Sequence, residues 1–322
     1  NRLSGTFELY RKTNNELLLR VPIPSDSGFP TYQTNIGEVQ NQGWEFELNS
    51  LNVKTPSFEW RTSANISHNE NKVLALGPDQ SKIEISNSFD GGVPFIKLEV
   101  GKPMYTIFGL KQNGVVTQAD IDAGGTTIGG NKLVLGDPRY VDQNGDKKIN
   151  SEDRVDLGNP TPKYTWGITN TFKYKDLDLS ILVQGQNGGT VYGLTGRAID
   201  RTGMGSVENS LNVDPAVRGN WKTSFGYQAN SDWLYKSDYV SVRSISIGYN
   251  LRQALKGISR INNARLYVTG ENWFYWNKYK VGFNPEAVNT SASSNSDFAV
   301  PVDYGGAPLA KSLVIGLNVN FN

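Results

Sequence analysis

Asp142, Asn144, Asp146, Asn150 and Asp153 occupy positions one, three, five, nine and twelve of one short run, and Lys148 at position seven can contribute a backbone carbonyl. Side-chain oxygens at that spacing follow the ligand order of an EF-hand loop, and an all-oxygen donor set favours calcium. Ile149 at position eight supplies the apolar anchor. Two residues depart from the pattern: Lys147 stands where position six usually has glycine, and Asp153 is shorter than the usual glutamate. The competing reading is a chain of Asx turns without metal. A structural calcium that shapes a loop is the expectation, with no chemistry performed on it.

Catalysis has little to work with. There is no cysteine and one histidine, His68, so thiolate and most imidazole chemistry are excluded. The sequence contains no Gly-x-Ser-x-Gly elbow, no phosphate loop and no zinc-protease histidine pair. Carboxylates are frequent, but charges alternating along strands need no acid-base role to explain them. A non-enzyme is expected. Trp221, Tyr227, Trp233 and Tyr235 could stack on sugar rings or pack against a partner protein, and the sequence leaves both readings open.

The elements that carry these residues are strands. After Asn159-Pro160-Thr161-Pro162, Trp166, Ile168, Phe172 and Tyr174 share one parity, and Thr165, Gly167, Thr169, Thr171 and Lys173 the other. Such a period of two is a β-strand with one apolar face. A tight turn at 174–176 leads to a second, with Leu177, Leu179, Ile181 and Val183 opposite Asp178, Ser180, Gln184 and Gln186. Comparable segments start near Thr6, beyond Gly43, and at Phe58, Ile245, Ala264 and Leu313, about eight in all.

Composition fits this reading. With 32 basic and 31 acidic residues in 322, the chain has no charge excess that would point to nucleic acid. Hydrophobic residues are 37% and aromatics 11%, which suits strands joined by polar loops. No apolar run approaches the roughly 18 residues of a membrane helix. A membrane β-barrel needs none, because its strands alternate lipid-facing and lumen-facing residues.

The connections decide between classes. Short ones lie at 52–57, 174–176 and 252–263, and long ones at 22–35, 75–162, 187–238 and 277–311. Tight turns at one end and long loops at the other are the mark of an outer-membrane barrel. Aromatic residues near strand ends, among them Trp44, Trp60, Trp166, Tyr249 and Trp273 to Trp276, suit interfacial girdles. Glu45, Glu47, Glu59, Arg61, Thr169, Thr171, Asp178 and Gln184 are then candidate lumen-lining residues. The alternative is a soluble or surface-exposed carbohydrate-binding β-protein, whose two packed sheets would also alternate.

Several motifs stand out: Leu9-Tyr-Arg-Lys-Thr-Asn-Asn-Glu-Leu-Leu-Leu19, Asn35-Ile-Gly-Glu-Val-Gln-Asn-Gln-Gly43, Gly136-Asp-Pro-Arg-Tyr-Val-Asp-Gln-Asn-Gly-Asp146, Gly158-Asn-Pro-Thr-Pro-Lys163, Gln184-Gly-Gln-Asn-Gly-Gly189 and Asn284-Pro-Glu286. Together they resemble the SusC/RagA-type TonB-dependent outer-membrane transporters of Bacteroidota. The resemblance implies an all-β, antiparallel transmembrane barrel of about 22 strands around a plug, of which this chain would be the C-terminal part. The plug, the earlier strands and the region that engages TonB would precede it. It further implies TonB-dependent import of oligosaccharides or peptides, a SusD-like surface lipoprotein as partner, outer-membrane lipid around the wall, long loops outside and short turns in the periplasm.

Overall fold

A pleated segment with alternating polarity can hide one face only, and its backbone groups must be paired by neighbouring strands. The computed structural model describes residues 2–22, 26, 28, 31–77, 80–86, 94–127, 130–196, 229–254, 261–282, 284–286 and 302–321. Eight strands form one antiparallel sheet: β1 (Leu3–Pro22), β2 (Thr31–Lys54), β3 (Phe58–Ala75), β4 (Tyr164–Tyr174), β5 (Leu177–Asn187), β6 (Tyr239–Asn250), β7 (Ile261–Asn277) and β8 (Ser312–Phe321). Their order in the sheet is their order in the chain, so the wall is an up-and-down meander. No helix among the described residues is long and apolar enough to cross a membrane.

Strand ends follow local chemistry. The β4–β5 hairpin closes through Lys175 and Asp176, with Lys175 in the left-handed region at φ 52°, as tight hairpin turns require. The Lys175 amide donates to Ser57 O at 2.9 Å and the Asn250 amide to Asp176 O at 2.8 Å, so neighbouring short turns form one rim. The sequence reading placed a loop over 22–35 and a clean strand only beyond Gly43. In the structure β2 already begins at Thr31, because the glycine and prolines stop at residue 30 and the run from Thr31 to Ile36 is rich in aromatic and β-branched residues. The first long connection is therefore short, and β1 and β2 extend well past the roughly 10 residues that cross a bilayer.

Register sorts the two faces. Leu9, Trp44, His68 and Tyr164 follow one another across β1 to β4, and Leu179, Ile247, Val268 and Ile315 across β5 to β8. This apolar face is bare: Leu9 is 75%, Ile315 69% and Ile247 50% exposed. Within the eight strands the buried apolar side chains, among the described residues, are Val39, Val73, Tyr239 and Ala264. A soluble sandwich would close the face with a second sheet, and among the described residues none does so. An apolar surface of this extent beside a polar opposite face has the character of a membrane-barrel wall.

The hydrophobic core lies instead in the long connections. Between β3 and β4, the strands Lys82–Ser86, Pro94–Glu99, Thr106–Leu110 and Arg154–Gly158 form a four-stranded antiparallel sheet. Between β5 and β6, Thr190–Gly193 pairs with Leu234–Lys236, and also runs parallel to Val302–Asp303 from the connection before β8. Phe95, Ile96, Leu98, Ile107, Tyr192, Trp233 and Val302 form one cluster with Val39 and Val73 of the wall.

The bare face gives a direct expectation. In the full-length protein folded into vesicles, Ile247→Arg should lower unfolding free energy by roughly 2–4 kcal/mol if its row lies near the bilayer midplane. Ser246→Arg, one residue away on the polar face, should cost much less. Urea titrations giving equal losses for the two would contradict the assignment of faces.

Candidate functional site

The acidic loop is built from backbone-to-side-chain hydrogen bonds. Asp142 Oδ1 accepts from the Gly145 amide at 2.7 Å and its Oδ2 from Lys147 at 2.7 Å. Asn144 Oδ1 accepts from Asp146 at 3.0 Å, and Asp146 Oδ1 from Lys148 at 2.7 Å. Asn150 caps the turn Ser151–Asp153, accepting from Glu152 at 2.6 Å. Asp153, fully buried, accepts from Gln143 and Asn150, both at 2.8 Å. Asn144, Asp146 and Asn150 are thus fixed in Asx-type turns, while Asp142 and Asp153 hold amides elsewhere in the loop. Ile149 is buried against Leu110 and Tyr140, and Thr126 pairs with the loop through Lys147 O and the Ile149 amide. Lys147 has φ 64°, the left-handed conformation that glycine would adopt without strain. Among the described residues no three carboxylate or imidazole side chains converge at metal-ligand spacing. The donor order suits calcium; the carboxylates are held by amides rather than drawn together.

The eight polar wall residues share one face of the sheet. Glu45 lies opposite Ser67, which pairs with Thr165, and Glu47 leads through Asn65 and Gly167 to Gln184. Thr169 sits beside Ser63, Thr171 beside Arg61, and Glu59 leads through Lys173 to Asp178. Arg61 Nε donates to Glu59 at 2.6 Å. Arg265 Nε donates to Asp178 at 2.9 Å, with its guanidinium 5.1 Å from the Tyr267 ring. Gly248 makes room for that pair, since a Cβ there would lie 2.3 Å from the Arg265 guanidinium.

The aromatic quartet fares differently. Trp233 is fully buried in the core of the long connections, on the turn Ser231–Trp233 capped by Asn230. It presents no stacking surface, which corrects the expectation of a contact residue; a tryptophan in a polar segment here serves packing. Tyr235 is half-buried and meets Tyr279 with ring centroids 5.4 Å apart. Trp221 and Tyr227 lie outside the described residues.

Sequence reading missed a second centre on the polar face. Arg243 sits at a register shift of β6, with its guanidinium 5.4 Å from the Tyr239 ring and 5.8 Å from Tyr275. It is clamped by Glu286, to which Tyr275 also donates at 2.8 Å, and it reaches Asn272 Oδ1 at 3.2 Å. With its amide oxygen turned inward, Gln184 accepts from Arg243 Nε at 2.7 Å. Nearby, Tyr279 donates to the buried Asp303 at 2.5 Å. Burial first, and then that hydrogen bond, push the Tyr279 hydroxyl pKa up. The signal for this centre in the sequence is the motif Asn284-Pro-Glu286.

No protein-family profile matches the chain. It is similar to TonB-dependent receptor P26 of Formosa agariphila, with 32% identity over 99% of this chain and 33% of that protein. TonB-dependent receptor SusC of Bacteroides thetaiotaomicron is 26% identical over 99% of the chain and 30% of its own length. Among solved structures, the RagAB peptide importer in its open-open state superposes with a TM-score of 0.75 at 21% identity, covering 99% of this chain and 33% of that one. The chain spans about a third of the length of these relatives.

The sheet between β3 and β4 carries its own charge network. Lys97 reaches past the Phe108 ring to Asp156 at 2.6 Å and pairs with Glu99 at 2.5 Å, while Lys102 meets Asp156 at 3.1 Å. Burial alone would raise the Asp156 pKa, but hydrogen bonds from Lys97 and Lys102 outweigh it and hold the carboxyl below its ordinary value. Burial likewise disfavours charged Lys97, and its two carboxylate partners more than compensate, leaving its pKa raised. The Asp156 contribution should be full above about pH 4 and disappear as pH falls through the lowered value; that of Lys97 should be full below about pH 10 and disappear as pH rises through the raised one. Asp156→Asn should remove the acid limb and cost about 1 kcal/mol after solvent screening. Amide exchange in Pro94–Glu99 followed against pH checks both.

Proposed function

We propose that this chain, a member of the SusC/RagA-type TonB-dependent receptors, builds one section of the wall and the outer mouth of an outer-membrane importer. The carrying observation is a sheet whose apolar face is bare while three long connections pack together at one end. Lipid covers the bare face, and the polar face carrying Glu45, Glu47, Glu59, Arg61, Thr169, Thr171, Asp178 and Gln184 lines the lumen. The plug, the remaining strands and the TonB-engaging region belong to the rest of a longer polypeptide. The cargo is an oligosaccharide or peptide, and a SusD-like surface lipoprotein covers the mouth. The relatives are receptors and an importer, in keeping with a protein that performs no catalysis of its own.

In this topology the packed connections are extracellular and the short-turn rim periplasmic. This region has no cysteine, so single cysteines introduced into it report on it alone once any cysteine elsewhere in the full-length protein is replaced. An impermeant maleimide on intact cells should label Gln143→Cys and leave Lys175→Cys unlabelled; the reverse pattern overturns the topology. Uptake of the cargo should stop when TonB is deleted.

Within the mouth, the loop from Asp142 to Asp153 is assigned a calcium ion, held by Asp142, Asn144, Asp146, Asn150, Asp153 and the Lys148 carbonyl, which would fix the loop and supply no reaction step. Support comes from the order of oxygen donors and the Asx turns that orient them. Calcium at about 100 times its dissociation constant should stabilise this region by roughly 2.7 kcal/mol. Asp146→Ala should abolish the effect, and Lys147→Gly should strengthen it by relieving about 1 kcal/mol of left-handed strain. Calorimetry of the full-length receptor showing no calcium-dependent shift removes the assignment.

A further inference from the structure

The lipid-facing side of the wall changes character just past its aromatic row. Trp44, His68 and Tyr164 lie side by side there, with ring centroids 6.0 Å apart for Trp44 and His68 and 4.8 Å for His68 and Tyr164. One step further along the same face come Gln42 and Glu70, and then Gln40 and Lys72. A cleft of about 290 Å3 opens at this level, with Gln40, Gln42, Lys72, Thr161 and Lys163 on its walls. A second hollow shares Gln42 and Glu70 and continues onto Trp44 and His68, so the polar cleft and the aromatic row form one surface.

We propose that this surface binds the phosphorylated sugar headgroup of an outer-leaflet glycolipid, whose acyl chains lie along the bare apolar face below. Lys72 and Lys163 are exposed, and neither is ion-paired with a described residue. The Lys163 stem lies across Gly188, where a Cβ would approach it to 2.9 Å, so the glycine makes room for the lysine. His68 Nδ1 meets Lys163 O at 2.7 Å and ties the lysine to the aromatic row. The one carboxylate on this surface, Glu70, is turned to His68 Nε2 at 3.4 Å. Two ammonium groups suit phosphate, and primary amides both donate to and accept from sugar hydroxyls. Asn71 and Asn159, on the same cleft, are used to pin the segment at Met104, through the Met104 amide at 2.6 Å and the Met104 carbonyl at 2.6 Å. Among the described residues, the side chains of Gln42, Lys72 and Lys163 have no such scaffolding contact.

This inference rests on the long connections facing outward, and its test separates the two. The full-length receptor, delipidated in detergent, is titrated with bisphosphorylated lipid A bearing its inner core sugars and, in parallel, with phosphatidylglycerol, and binding is read by native mass spectrometry. One glycolipid should be retained in preference to phosphatidylglycerol. Loss of each lysine should weaken it about fivefold, so the double variant Lys72→Ala, Lys163→Ala should weaken it roughly 25-fold. Removing the phosphates should weaken wild-type binding similarly. Lys173→Ala with Lys175→Ala, at the opposite end of the wall, should change nothing. Unchanged affinity in the first double variant, or equal retention of phosphatidylglycerol, overturns the headgroup assignment. Labelling of the short turns from outside would instead overturn the topology, and with it the glycolipid source, whatever the titration gives.

Discussion

The structure depends on one constraint: a sheet of eight strands presents an apolar face that nothing among the described residues covers. In water such a face would drive association, because each fully exposed leucine or isoleucine forgoes roughly 1.5–3 kcal/mol of burial. In hydrocarbon the same face is matched to its solvent, and the cost moves to any backbone group without a partner. The meander meets that demand internally, since every neighbouring pair of strands is hydrogen-bonded. At the outer edges of β1 and β8 the demand calls for further strands alongside, in keeping with a chain that spans about a third of its relatives.

Freed from forming a core within the wall, the chain forms one at the mouth. Phe95 of the second long connection packs against Tyr192 of the third with ring centroids 5.1 Å apart, and Val302 of the fourth is buried in the same cluster. Sequence-distant loops thereby share one packed layer. Val39 and Val73 belong to it because β2 and β3 continue past the membrane-spanning length, and their parity there faces the layer. The extended hairpins are therefore the posts to which the mouth is fixed.

What was legible in the sequence follows the range of the interactions involved. Period-two alternation is a nearest-neighbour property, so the hairpin from Tyr164 to Asn187 was readable strand by strand, turn included. The Asx turns of the acidic loop are equally local, spanning two to five residues in most cases. The burial of Trp233 is not legible from its polar neighbours in sequence, because the cluster that holds it also draws on Phe95 and Val302 of other connections. The early part of β2 is hard to read because Asn35, Gly37 and Gly43 interrupt its alternation, and pairing with β1 carries the strand through them.

The register shift at Arg243 shows how a wall can carry a charge without exposing it to lipid. Before the shift Tyr239 and Ser241 lie on the polar face; beyond it Ser244, Ser246 and Gly248 do, so the parity of β6 reverses at this point. The opposing strand bends in step, with Asn272 in the left-handed region at φ 56°. An extra residue is what a β-bulge contributes, together with a local change in the direction of its side chain. Arg243 uses that freedom to lie against Tyr239 and Tyr275 and to hold Glu286 of the fourth connection. Because Glu286 is its counter-charge and Tyr275 donates to the same carboxylate, moving the connection away would leave a partly buried guanidinium without its partner. The alternation that hides the wall from water is thus interrupted at the site where the wall grips its mouth, and the interruption supplies the grip.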